Sequence, residues 1–299
     1  MKTLTVFTPT FNRAYCLDQC YESLKRQTNK DFEWLIIDDG STDQTEELVK
    51  QWMNERIIDI TYIYQENQGM HGAHNTAYEN IVTELNVCID SDDYMADDAV
   101  EKILHFWKRK GNKRYAGIVA LDASPSGEII GTKIPEHIKE SPLTDLYVIH
   151  KVRGDKKLVY RTELIKKVQP YPLFEGEKYC PLNIKYILID QEYPLLVLNE
   201  ILCHVEYRED GSSLNMLKQY KKNPRGFLYY RKVAMKYAPT ISKRVRESIH
   251  YVAGSLLVKE FFFIYKSPYK LETLFATPFG ILLYFYIQFS NRNINFKTS

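Results

Sequence analysis

The sequence predicts an α/β fold: a mostly parallel sheet flanked by helices, followed by a mainly helical C-terminal extension. Three observations carry this reading. From Leu4 to Ile89, β-rich runs alternate with stretches of helical spacing, which implies strand–helix–strand crossovers. Each of those runs ends in a polar cluster, as strands of a parallel sheet do where ligands bind. Beyond residue 213 the chain turns basic and aromatic, with helical patterning. A chain of 299 residues accommodates one α/β domain with an appendage. The expected division is 1–213 and 214–299, with the first part split into halves of about 1–110 and 111–213.

Taken in order, Leu4 to Thr8 is the first strand, closed by Pro9. Ala14 to Gln27 places Leu17, Cys20, Tyr21 and Leu24 on one helical face. Trp34 to Ile37 is an apolar strand that ends in Asp38-Asp39-Gly40-Ser41. Asp43 to Trp52 reads as a helix whose first turns are acidic, as the helix dipole favours. Ile58 to Tyr64 is a third strand, Gly72 to Val82 a third helix, and Leu85 to Ile89 a fourth strand. Ala96 to Arg109 is helical.

The second half is less regular. Tyr115 to Leu121, Leu158 to Arg161 and Tyr193 to Tyr207 read as strands, with Pro/Gly-containing stretches between them. Gly211 to Arg246 contains no acidic residue but ten lysines and arginines, interleaved with Tyr220, Phe227, Tyr229 and Tyr230. Two apolar aromatic stretches follow, 252–265 and 275–289. The first is interrupted by Lys259-Glu260 and the second by Pro278 and Gly280, so neither is expected to span a membrane.

The fourth strand stops in Asp90-Ser91-Asp92-Asp93, three carboxylates within four residues. Like charges so close resist ionising together and call for a cation. Mg²⁺ or Mn²⁺ is held by one or two carboxylates plus substrate phosphates. The plainer alternative makes Asp92 or Asp93 an N-cap for the helix that follows. A net charge of +2 says little by itself. Five cysteines without a Cys-x-x-Cys pair or zinc spacing suggest reduced thiols and a cytoplasmic address. Met1-Lys2-Thr3 runs into a strand without an apolar leader. No Gly-x-Gly-x-x-Gly follows a strand, which excludes a nicotinamide dehydrogenase, and Thr8 to Arg13 lacks the glycines a nucleotidyltransferase would need.

Thr8-Pro9-Thr10-Phe11-Asn12-Arg13, Asp38-Asp39-Gly40-Ser41, the loop from Asn67 to Asn75 and Asp90-Ser91-Asp92-Asp93 together resemble the family 2 inverting glycosyltransferases of GT-A fold. Order and spacing match over roughly the first third of the chain. The similarity continues more weakly through Glu175-Gly176-Glu177-Lys178-Tyr179 to Asp210-Gly211-Ser212-Ser213. The resemblance implies a UDP-sugar donor and a glycan or lipid-linked acceptor in cell-surface polysaccharide or glycolipid synthesis. On it, Thr8 and Pro9 line the base, with Thr10, Asn12 and Arg13 in the same turn. Asp39 accepts from the uracil N–H, or Asp38 holds the loop. Asp92 ligates the Mn²⁺ or Mg²⁺ that bridges the diphosphate, and Asp90, beside Ser91, binds ribose or supports the metal. Asn67, Gly69, His71, His74 and Asn75 contact the donor. His74 stands where many members carry Arg, and Met70-His71 where some carry Lys-His. Glu177 is the candidate base, with Glu175 its rival. Asp210, Ser212 and Ser213 fall where a family loop closes over the diphosphate.

The basic aromatic tail suits an anionic membrane surface, contacted peripherally from the inner face. A packing helix or a homo-oligomer interface is the alternative. No nucleic-acid motif accompanies the charge. A rival from another class is a non-catalytic nucleotide-sugar-binding or assembly subunit that docks through this tail.

Overall fold

A computed structural model describes residues 2–206 and 216–290. The chain forms two compact units: Met1–Tyr171 with Leu188–Glu206, and Pro172–Ile187 with Tyr207–Ser299. The division therefore differs from a single cut at 213, because residues 172–187 group with the C-terminal helices.

In the first unit β1 (Leu4–Thr10), α1 (Leu17–Lys25), β2 (Phe32–Asp38), α2 (Thr45–Glu55), β3 (Ile60–Tyr64), α3 (Met70–Asn80) and β4 (Leu85–Cys88) alternate as the periodicity predicts. They are followed by β5 (Tyr94–Met95), α4 (Ala99–Lys110), β6 (Gly117–Ala123), β7 (Glu140–Ser141), α5 (Leu143–Val148), β8 (Lys156–Arg161) and α6 (Thr162–Lys167). α7 (Asn183–Ile189), most of which belongs to the second unit, leads back to β9 (Leu195–His204) of the first. The sheet order is β3-β2-β1-β4-β8-β6-β9-β5, with β7 also paired to β9. β1 to β4 are parallel. Beyond β4 the sheet is mixed: β8 runs antiparallel to β4 and β6, and β9 is parallel to β6. The two-residue strands β5 and β7 are too short to show a period.

The core is built on alternate residues of these strands. Val6, Trp34, Ile36 and Val87 are fully buried. Tyr21 of α1 stacks on Trp52 of α2 at 4.4 Å, and Trp52 on Trp34 at 5.8 Å. These three rings fasten the first two helices to one face of the sheet, and losing either Trp would cost about 3–5 kcal/mol.

The second unit is helical: α8 (Met216–Lys222), α9 (Pro224–Lys236), α10 (Ile241–Leu257), α11 (Phe263–Lys266) and α12 (Lys270–Phe289). α9 opens on a proline, whose missing N–H is harmless there. Thr240 caps α10 by accepting from the Lys243 N–H at 3.1 Å. α12 runs through Pro278 and Gly280, which the sequence marks as breaks. Gly280 has a packing reason instead: a Cβ there would lie 2.4 Å from Val252 Cβ on α10. Among the described residues no helix is long and apolar enough to cross a membrane.

The acid-free stretch is less exposed electrically than it reads. Arg231 and Lys243 both pair with the buried Glu247, at 2.5 and 2.6 Å, and Arg244 pairs with Glu272 at 3.4 Å. Their partners lie outside the stretch in sequence but beside it in space.

Candidate active site

The site is set by topology. The chain runs outward from β1 to β2 and β3, then returns to place β4 on the other side of β1. Open parallel sheets bind ligands at such a reversal, beyond the carboxyl ends of the strands, here those of β1 and β4. The turns after β1, β2 and β4 all open there, with the loop after β3 beside them.

The turn after β1 is fixed by Asn12, which adopts φ 54°. Its Oδ1 accepts from the Thr42 N–H at 2.7 Å, and its own N–H donates to Ser41 Oγ at 2.8 Å. Thr8 Oγ1 is buried and accepts from Trp34 Nε1 at 3.0 Å. Thr10 Oγ1 is buried without a hydrogen-bond partner among the described residues. A polar atom left so in the interior is uncommon. Arg13 leans on the exposed Tyr15 ring, 5.7 Å from its centroid.

The two aspartates at the end of β2 do different jobs. Asp38 is fully buried and accepts from Tyr62 Oη at 2.6 Å and the Ser41 N–H at 2.8 Å. Asp39 accepts from Gln65 Nε2 at 2.7 Å, and from the Gln68 and Gly69 N–H groups at 2.8 and 2.7 Å. Asp39 thereby holds the loop that starts α3. Asn67 Nδ2 closes the same loop by donating to the Asp39 carbonyl at 2.8 Å. Gly40, at φ +87°, leaves room for it: a Cβ would sit 3.0 Å from the Asn67 nitrogen. With these donors the Asp39 carboxylate organises the loop between β3 and α3.

Of the α3 residues, His71 and His74 are buried. His74 packs edge-on to Phe7 at 5.1 Å, its Nδ1 3.2 Å from Tyr78 Oη and its Nε2 3.9 Å from Cys88 Sγ. Asn75 makes a two-way bond with the Tyr171 backbone, both at 2.9 Å.

The acidic turn after β4 is not a helix cap. α4 begins only at Ala99, behind β5, and its N-cap position is Asp98. Asp90 is exposed, Asp92 half-buried and Asp93 buried. Gln19 of α1 donates to the Asp92 carbonyl. Burial pushes the Asp93 carboxyl up to about 8, with Lys157 opposing and Asp90, Asp92 and Asp122 adding to the rise. The turn thus gathers three carboxylates on one short segment, with Asp90 and Asp92 its two less buried members. Among the described residues no cluster of three or more acid, His or Cys side chains could hold a metal. An ion that takes one or two carboxylates and completes its shell with phosphate needs none.

Sequence reasoning missed Lys157. It is buried on β8 with its Nζ 3.8 Å from Asp122 Oδ1 on β6. Burial pulls its ammonium down, but Asp122, Cys203, Asp93 and Asp90 outweigh this and hold it well above the usual lysine range. The signal was the Lys156-Lys157 pair at the head of an apolar strand. Gln65 and Tyr62, which orient Asp39 and Asp38, gave no signal at all.

Glu177, in the second unit, is buried at the start of α9. It accepts from the Arg225 and Gly226 N–H groups, both at 2.9 Å, and from Arg225 Nε at 3.1 Å. Glu175 is exposed, and its carbonyl accepts from Arg225 Nη2. Asp210, Ser212 and Ser213 lie outside the described residues.

Residues 5–163, more than half the chain, match the pattern that defines glycosyl transferase family 2. The chain belongs to that family. This family 2 glycosyltransferase is 37% identical over 102 residues to Glycosyltransferase GlyA of Streptococcus pneumoniae, a match that covers 33% of the chain and only 14% of that protein. It is 23% identical over 241 residues to the GalNAc(5)-diNAcBac-PP-undecaprenol beta-1,3-glucosyltransferase of Campylobacter jejuni, covering 78% of this chain and 74% of that one. Its fold is that of S. aureus TarS 1-349, solved with UDP-GlcNAc: TM-score 0.62, 16% identity, 96% of this chain and 90% of that chain. The GT-A architecture expected from the sequence is therefore present.

Proposed function

We propose that the chain transfers a sugar from a UDP-sugar, with inversion at the anomeric carbon, to a glycan or lipid-linked acceptor in cell-surface polysaccharide synthesis. The observation that carries this is the strand order, which puts the turns after β1, β2 and β4, with Asp39, Asp90 and Asp92, at the carboxyl ends of neighbouring parallel strands. Asp39, Thr8 and Pro9 would receive the uracil, helped by the Asn67–Gly69 turn. Asn12 and Arg13 complete the wall. Ser91, His71, His74 and Asn75 support the donor from the neighbouring turns, His74 and Asn75 by holding α3 in place. Asp210 and Ser213 are assigned to a closing loop on the resemblance alone.

Asp92, with Asp90, would hold Mn²⁺ or Mg²⁺. When bound, that ion supplies Lewis-acid stabilisation to the departing diphosphate. The acceptor oxygen forms its bond to the anomeric carbon as the bond from that carbon to the diphosphate breaks. The acceptor's proton passes to a carboxylate of the Glu175–Glu177 segment. The Glu177 carboxylate is already occupied by the Arg225 and Gly226 N–H groups and by Arg225 Nε, whereas Glu175 is exposed, so Glu175 is favoured for that step. Glu177 would then position the segment. The undecaprenol-linked substrate in the Campylobacter jejuni relative's name favours work at the inner membrane face, with the helical unit in peripheral contact.

The test is donor binding and turnover across UDP-, GDP- and CMP-sugars, with and without Mn²⁺. UDP-sugars should bind best and only with metal. Tighter binding of GDP or CMP would overturn the base assignment. Glu175→Gln should lower turnover about a hundredfold with donor affinity intact, whereas that pattern in Glu177→Gln alone would return the base role to Glu177.

A further inference from the structure

α12 carries its bulk on the outside. Its buried positions are Thr273, Ala276, Gly280 and Ile287, three of the four small. Its exposed positions include Leu271, Phe275, Phe279, Leu282, Phe285 and Phe289, between 49% and 76% exposed. They recur at three- and four-residue intervals and so form one stripe, roughly 27 Å long. Just before α12, Phe261, Phe262 and Tyr265 are 71–78% exposed. From Thr273 to Phe289 there is no charged residue. Apolar surface this continuous marks a contact face rather than a solvated one.

We propose that this α11–α12 face is the part of the chain that enters a membrane surface, with α12 lying in the plane of an anionic bilayer. The inference rests on the reading of the chain as a glycosyltransferase in peripheral membrane contact, and it names the face. Two observations select a bilayer as the occupant. Exposed Lys259 and Lys270 adjoin these aromatic residues, while the two acids of this stretch are already taken, Glu260 by Lys266 and Glu272 by Arg244. A second copy of the chain therefore brings these lysines no unpaired acid from the same face, whereas anionic headgroups meet them directly. The exposed residues are also dominated by Phe and Tyr, which favour the headgroup boundary. The basic stretch up to Arg246 contributes less than its composition suggests, since Arg231, Lys243 and Arg244 are paired internally. Apolar burial is thus the main attraction, and salt should weaken it only modestly.

The experiment is flotation of the full chain with vesicles of phosphatidylcholine alone or mixed with phosphatidylglycerol, at low and high salt. Phe275→Ser combined with Phe279→Ser should lower partitioning at least about tenfold while leaving thermal unfolding without vesicles unchanged, because both rings point to solvent. Lys259→Gln with Lys270→Gln should reduce binding to the anionic vesicles only. UDP-sugar hydrolysis should be unaffected by either pair. If hydrolysis is absent throughout but the Phe pair still abolishes partitioning, the surface stands and the catalytic reading falls. Wild-type protein that does not float, Phe variants that float like wild type, or a solution dimer dissolved by the Phe pair would overturn the proposal.

Discussion

The two units solve opposite problems with the same residue types. In the first, Trp34, Ile36 and Val87 are inside, and charge is gathered at the carboxyl ends of the strands, where Asp90 is exposed and Asp92 half-buried. In the second, Glu247 is 1% exposed against Arg231, while Phe275 and Phe289 stand outside. Charge collected at a strand end makes a site for charged ligands. Charge turned inward, with bulk turned outward, makes a body suited to apolar surroundings. The contrast shows that composition alone does not tell which side of a helix faces water.

The sharpest break of this contrast is Asp92→Asn. It keeps the shape of the turn but removes an anionic oxygen, and the loss of several kcal/mol of transition-state stabilisation should lower turnover by about a hundredfold or more. Steady-state assays across a Mn²⁺ titration would show it, and full activity under chelator would remove the metal from the account. Next comes the comparison of two buried cations. Lys157→Met strips Asp122 of its ion-pair partner at 3.8 Å and should cost about 3–5 kcal/mol. Arg231→Met should cost less, because Glu247 keeps Lys243 at 2.6 Å. Urea unfolding of both decides it, and an equal loss would mean that neighbouring charge does not matter.

pH should move the two units in opposite directions. Burial, then Arg231, pulls His250 down to about 4, with Glu247 opposing. The folded state keeps it neutral while the unfolded chain takes up a proton below about 6.5. Its contribution is therefore present above that pH and is lost as pH falls through about 4, on the order of 3 kcal/mol. Asp93 is raised to about 8, so in metal-free protein its contribution is present below about 4 and is lost as pH rises through 8. Hydrogen exchange resolved by unit, at pH 5 and pH 8, should show the second unit loosening at the lower value and the β4 turn at the higher. His250→Phe and Asp93→Asn should each flatten one limb. The smallest effect is expected from Glu272→Gln: its pair with Arg244 is partly exposed and should be worth about 1 kcal/mol or less.

The parallel half of the fold was legible because each strand there is an apolar run of four or more residues closed by a polar turn, as at Asp38-Asp39 and Asp90-Ser91-Asp92-Asp93. β5 and β7, of two residues each, carry no period and exist only through pairing with β9. The turn residues of the candidate site were legible for the same reason as the strands: they sit where apolar runs stop. Lys157 was not, since a buried lysine is recognised only by the carboxylates that surround it. The histidines were read as donor contacts, yet the placement of His74 against Phe7 and Tyr78 depends on helix packing that no local pattern encodes. The basic stretch misled most, because its counter-charges lie outside it, Glu177 well upstream and Glu247 and Glu272 beyond its end.

The place of β9 in the sheet has a consequence for how the chain is made. β6 pairs with β8 on one side and β9 on the other, and among the described residues β5 pairs only with β9. Residues 5–163, which carry the family pattern, therefore leave the ribosome with one edge of β6 open and β5 without a ladder. An uncovered hydrophobic edge is an invitation to mispairing. Until Leu195–His204 arrives, the nascent chain holds most of its candidate site on an unfinished sheet, so a premature stop after α6 would yield an aggregating fragment rather than a minimal enzyme.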